Sequence, residues 1–159
     1  MMKKIKLYLD TSVISYLDAP DTPEKMADTL ALWEDLKYRS DIEIVISELT
    51  LRELNKCQQP KLQFLLEKLS EFDYLFLEIS EDDMKLADYY VKNAVLTEKS
   101  IDDLLHIAIA TLNDCRYIIS WNFKHFVNPK TIHAVWAINK MINLPEINIV
   151  SPSMMLGGY

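Results

Sequence analysis

The sequence predicts an α/β fold, a single domain over residues 1–159 with a central, mostly parallel sheet of four to five strands flanked by helices. Three observations carry this. Strand-like and helix-like segments alternate along the chain, which calls for crossover connections between parallel strands. The length of 159 residues suits one core, since a chain of this size buries roughly 70% of its unfolded surface without staples. No internal repeat, linker or low-complexity stretch divides it.

The elements follow in order. Ile5-Lys6-Leu7-Tyr8-Leu9 reads as a strand and stops at Asp10-Thr11-Ser12, residues that favour turns and helix caps. After Pro23, suited to a first helical turn, Met26, Leu30, Trp33 and Leu36 recur at helical spacing. Ile42 to Ile46 is β-branched enough for a second strand, and Ser47 then caps a helix carrying Leu49, Leu51, Glu53 and Leu54. Leu62, Leu65, Leu66 and Leu69 form an amphipathic stripe after Pro60, and Tyr74 to Leu77 is a third short strand. Met84, Ala87, Val91 and Ala94 again share helical spacing. Ile101 to Leu112 is apolar on nearly every face, which marks a buried helix. Tyr117 to Ser120 is a fourth strand, Thr131 to Asn143 a helix, and Ile147 to Val150 a last strand before Pro152.

Composition excludes several functions. The two glycines, Gly157 and Gly158, both fall in the last three positions, so no Gly-rich loop exists to let backbone approach a phosphate, and dinucleotide-fingerprint and P-loop enzymes are out. Cys57 and Cys115 cannot build a four-thiolate zinc site or a disulfide framework, and reduced thiols are expected. Met1-Met2-Lys3-Lys4 resembles the start of a signal peptide, but Asp10 breaks the apolar run that follows. No segment approaches the roughly 18 apolar residues of a membrane span. A cytoplasmic protein is expected. The net charge of −7 argues against a generally basic nucleic-acid surface. Between Asp114 and Glu146, however, no acid occurs, while Arg116, Lys124, Lys130 and Lys140 do.

In open parallel sheets, ligands bind beyond the carboxyl ends of the strands. Asp10 closes the first strand, Asn122 follows the fourth, Glu53 lies on the helix leaving the second, and Asp103 is in the first turn of the buried helix. Each also has a plain structural reading. Asp10 could be a turn residue, and Glu53 could be a solvated acid like Glu48. Ser100-Ile101-Asp102-Asp103 is a capping pattern that Ser80-Glu81-Asp82-Asp83 repeats ahead of a peripheral helix. His106 shares a helix face with Asp103 and could pair with it on a metal. Among Leu104, Leu105, Ile107 and Ala108, a core histidine with one hydrogen bond is the simpler reading. Clustered carboxylates and carboxamides with no convincing His or Cys ligands suit a hard cation such as Mg²⁺ or Mn²⁺, and so phosphodiester hydrolysis.

Four blocks, Leu9-Asp10-Thr11-Ser12-Val13-Ile14, Ser47 to Leu54, Asp102-Asp103-Leu104-Leu105-His106-Ile107-Ala108 and Ser120-Trp121-Asn122-Phe123-Lys124-His125, together resemble a PIN domain. The chain is most similar to the VapC-like toxins of prokaryotic toxin–antitoxin pairs. The resemblance implies a Mg²⁺- or Mn²⁺-dependent ribonuclease with metal roles at Asp10, Glu53 and Asp103. It gives Thr11, Ser12 and Ser120 supporting or substrate-orienting roles, and it leaves His106 in the pattern without making it a ligand. Asn122 stands where many relatives carry Asp, which weakens a second metal position because a carboxamide brings no charge. The resemblance also implies a separately encoded antitoxin and a homodimer.

The acid-free stretch interleaves bases with Tyr117, Trp121, Phe123, Phe126 and Trp136, a pattern suited to single-stranded nucleic acid. Arg116, Trp121, Lys124, His125 and Lys130 are the RNA-contact candidates, with Trp121 and Phe123 expected to be exposed in the loop after the fourth strand. The rival reading is a catalytically inactive PIN-like module that binds RNA or protein, and a deoxyribonuclease of the same architecture is a third.

Overall fold

The computed structural model describes residues 3–93 and 95–157; Met1, Met2, Ala94, Gly158 and Tyr159 lie outside the described residues. Strand β1 (Ile5–Leu9) runs into a short helix α1 (Thr11–Ser15) and a 3₁₀ turn (Tyr16–Asp18), after which α2 (Pro23–Lys37) begins on Pro23. Strand β2 (Ile42–Ser47) leads directly into α3 (Glu48–Leu54), and α4 (Lys61–Leu69) and β3 (Leu75–Leu77) follow. Helix α5 (Glu81–Lys92), a 3₁₀ turn (Glu98–Ser100) and α6 (Ile101–Leu112) then cross the sheet to β4 (Tyr117–Ile119). The chain continues through α7 (Pro129–Met141), β5 (Asn148–Val150) and α8 (Pro152–Leu156).

The five strands are all parallel, in the order β3-β2-β1-β4-β5. The chain winds outward from β1 through β2 to β3 on one side and from β4 to β5 on the other. Strand order therefore reverses between β1 and β4, and in open parallel sheets the carboxyl ends of the strands at such a reversal are where ligands bind.

Strand alternation divides the core into two layers. Leu7 and Leu9 face the layer built with α1, α2 and α4, where Ile14, Leu32, Trp33 and Leu65 are buried. Tyr8 faces the opposite layer, against Leu104, Ile107 and Ala108 of α6. Because α6 is covered by α5 and by the sheet, its residues Leu104 to Thr111 are all buried, which explains its apolar character on every side. Two short stretches differ from the sequence reading. Helix α7 starts at Pro129, two residues before the expected Thr131, because Asn128 accepts the Thr131 N–H and serves as the N-cap. Past Pro152, the Ser151 side chain accepts the Met154 N–H, and α8 forms where only a strand end was expected.

Candidate active site

Asp10 leaves β1 in an extended conformation with its carboxylate uncommitted to capping α1. It is 6% exposed, so its charge needs fixed partners. Its Oδ2 accepts hydrogen bonds from Ser12 Oγ at 2.7 Å and Ser120 Oγ at 2.9 Å. Those hydroxyls are in turn fastened by backbone: Trp121 N–H donates to Ser12 Oγ and Asn122 N–H to Ser120 Oγ, each at 2.9 Å. The end of β4 thus orients a carboxylate at the end of β1, across the point where strand order reverses.

Glu53 reaches the same place from α3. The start of that helix is fixed by a capping box in which Ser47 and Thr50 bond each other's backbone. Glu53 Oε1 accepts from Thr11 Oγ1 at 2.8 Å and from His106 Nε2 in a short contact. Glu48, the other acid on this helix, accepts the Ile79 N–H and pairs with Arg52, so it belongs to the scaffold.

His106 is fully buried and makes two hydrogen bonds rather than the single one expected. Its Nδ1 lies 2.6 Å from Tyr8 Oη, which lies 2.7 Å from Ser47 Oγ. A chain of polar groups therefore runs from the carboxylates into the core beneath β1 and β2. Burial disfavours the imidazolium, but the Glu53 hydrogen bond and the charges of Asp10, Glu53 and Asp103 outweigh it and raise the His106 pKa. For Glu53, burial pushes upward and the His106 and Thr11 bonds prevail, holding the carboxyl below the usual range. Tyr8 stays a neutral phenol, its pKa driven upward by burial.

Asp103 shows what its own helix start does with it. At the other, similar segment, Ser80 and Asp83 form a complete capping box. Ser100 makes no side-chain cap bond to α6, because residues 98–100 are already wound into a 3₁₀ turn. Asp103 is consequently released from capping, and its Oδ2 lies 2.8 Å from His125 Nδ1. Burial raises its pKa, the His125 bond opposes this, and the charge of Asp10 adds to the rise. Its neighbour Asp102 is exposed.

One ligand atom each from Asp10, Glu53 and His106 lies within 4.8 Å of the others, a spacing that a single cation could bridge. Because His106 Nε2 is engaged by Glu53, the donors left for an ion are carboxylate oxygens, and the carboxylates of Asp10 and Asp103 repel each other, so a hard divalent ion fits the charge and chemistry of the site. Asp103 is turned toward His125 and stands outside that trio.

The remaining candidates separate by position. Asn122 Oδ1 accepts the His125 N–H at 2.9 Å, which fastens the loop that presents His125 to Asp103. Lys124 and Lys130 are exposed. Arg116 precedes β4 and donates its N–H to Lys6 O near the start of β1, at the opposite edge of the sheet. Trp121 corrects the expected exposure. It is 5% exposed because its Nε1 donates to Thr29 Oγ1 under α2, and Phe123, 46% exposed, is the ring left at the surface. His106 as a two-bond hub was the residue that sequence reasoning undervalued, and the Asp-x-x-His spacing was its signal.

No family model matches the sequence, and no curated protein matches it. Solved structures do share its fold. One is the structure of VapBC2 from Rickettsia felis bound to a DNA fragment from their promoter. There the match has 15% identity and a TM-score of 0.54, over 92% of this chain and 98% of that one. Another is VapC20 of Mycobacterium tuberculosis, a sarcin-ricin loop cleaving toxin, at 14% identity and a TM-score of 0.56 over 74% of this chain and 92% of that one. At these identities the likeness is one of fold, and by its sheet order, its crossovers and these two matches the chain has the fold of a VapC-like PIN domain.

Proposed function

We propose that this chain is a Mg²⁺- or Mn²⁺-dependent endoribonuclease that serves as the toxin of a toxin–antitoxin pair. The observation that carries the reading is the meeting of Asp10, Glu53 and His106 where strand order reverses, with Asp103 close enough to feel the Asp10 charge. Two similarly folded proteins, a toxin that cleaves the sarcin-ricin loop and a VapBC complex, support the substrate class and the antitoxin partner.

In this reading Asp10, Glu53 and Asp103 hold the ion. Such an ion, when bound, supplies charge stabilisation on phosphate oxygens and a more acidic water. The chain's own residues do the positioning. Ser12 and Ser120 aim the Asp10 carboxylate, Thr11 and His106 aim Glu53, and Asn122 holds His125 against Asp103. Lys124 and Lys130 meet the RNA backbone on the exposed side. The toxin reading also carries a homodimer, a separately encoded antitoxin that blocks the site, and a cytoplasmic location. No helix among the described residues is long and apolar enough to cross a membrane.

The test is to incubate wild type and Asp10→Asn with a pool of structured and single-stranded RNAs in Mg²⁺, Mn²⁺ or EDTA and to map cut ends. Cleavage that requires both the metal and Asp10 is the expected result. Clean wild-type protein that binds RNA but cuts nothing in the pool would replace this reading with a non-catalytic module.

A further inference from the structure

Beside the Asp10 cluster a lysine is held inside a cage of aromatic rings. Lys25 Nζ lies 5.6 Å from the Tyr16 ring centroid, 5.6 Å from that of Trp121 and 5.4 Å from that of Phe123. The rings pack on one another, with centroids 5.9 Å apart for Tyr16 and Trp121 and 6.1 Å for Trp121 and Phe123. Thr29 ties them to the lysine's helix: its hydroxyl accepts from Trp121 Nε1 at 2.8 Å and donates to Lys25 O at 2.6 Å. The Trp121 N–H bonds Ser12, which bonds Asp10, so the cage and the carboxylates share one hydrogen-bonded chain.

Two features of this cage call for a ligand. An aromatic face attracts an ammonium through its quadrupole but satisfies none of its three N–H donors. Among the described residues no carboxylate lies within ion-pair distance of Lys25, although the chain holds 24 acids against 17 bases. Lys25 is thus a positioned cation with open donors. The outer ring, Phe123, is 46% exposed although apolar, in the loop that follows β4 at the carboxyl edge of the sheet. A cation placed to take a phosphate beside a ring free to stack a base is the pairing that single-stranded nucleic acids use.

Resting on the ribonuclease reading, we propose that Lys25 and Phe123 form a nucleotide subsite: Lys25 takes a backbone phosphate of single-stranded RNA near the one to be cut, and Phe123 stacks the adjacent base. Tyr16 and Trp121 are positioning residues that hold the ammonium in place. Lys140 over Trp136, at 4.8 Å, provides an internal comparison of the same chemistry, set about 15 Å along α7 from the start of that helix.

The test is fluorescence anisotropy with a single-stranded oligoribonucleotide, in EDTA, on an Asp10→Asn background that cannot cut. Lys25→Gln is expected to weaken binding and to flatten the plot of log K against log salt by about 0.7, the contribution of one phosphate on a single strand. Lys25→Arg keeps the slope. Phe123→Ala weakens binding by about tenfold with the slope unchanged, and Lys140→Gln changes neither. Melting temperatures equal to the background separate these effects from loss of fold. If the background protein binds RNA and both Lys25→Gln and Phe123→Ala bind as tightly with the same slope, the subsite is overturned and the ribonuclease reading stands. Absence of RNA binding by wild type and background alike, even at low salt, overturns both.

Discussion

Ser12 and Ser120 spend their hydroxyls on one oxygen of one carboxylate, and that arrangement is where individual residues matter most in this molecule. Ser120→Ala removes the contact that joins β4 to Asp10, and the expected outcome is a 10- to 100-fold loss of metal affinity, on the order seen when outer partners of metal ligands are lost; titration calorimetry with Mn²⁺ checks it. His106 gives a pH prediction. Its folded pKa is raised by Glu53 and the neighbouring acids, so the imidazolium stabilises the metal-free fold fully below the ordinary histidine value of about 6.5. That contribution is lost as pH rises through the higher folded value. Melting temperatures in EDTA should therefore fall as pH rises above about 6.5 for wild type and fall less for Glu53→Gln; parallel curves would contradict the pairing. The thiols supply a third check. Cys115 is buried and its pKa is pushed up to about 12 by burial, whereas Cys57 is half-buried. A thiol reagent at neutral pH should modify Cys57 in the native protein and reach Cys115 only after unfolding.

Two helix starts with nearly the same letters behave differently, and the difference lies outside those letters. At α5, Ser80 and Asp83 close a capping box; at α6, the preceding 3₁₀ turn rotates Ser100 away and leaves Asp103 for His125. Ser80→Ala should cost about 1 kcal/mol of stability, the usual value of an N-cap, and Ser100→Ala close to nothing, as chemical denaturation would show. The elements themselves were legible, because hydrophobic period, proline positions and cap residues are local signals. The use made of a helix start was not, since Asp103 and His125 are separated by 22 residues and meet only in the folded chain. Trp121 was misplaced for the same reason. Its partner Thr29 lies 92 residues away on α2, and no local pattern distinguishes a loop tryptophan in solvent from one tucked under a distant helix.

At the scale of the whole molecule, the winding from β1 outward in both directions creates one point where strand order reverses, and Asp10 and Glu53, picked out by their places after the first strand and on the helix leaving the second, meet there beside His106. That much was readable because parallel topology fixes which ends of the elements meet. The same topology sets Arg116 apart from Asp10 and Glu53: it stands at the amino end of β4, and a residue advances only about 3.3 Å along a strand, so it is separated from them by the length of the sheet. Two electrostatic facts remain together in the fold, a chain of net charge −7 and a strand-order reversal where acids gather. A divalent ion bound there would resolve both locally, by neutralising the carboxylates that would repel a phosphate. The most direct measurement is calorimetric titration of metal-free wild type and Asp10→Asn with Mn²⁺ and Mg²⁺. Saturable binding by wild type that Asp10→Asn abolishes is the predicted result, and wild type that takes up neither ion, or binds it as Asp10→Asn does, would contradict the assignment of these acids to a metal centre.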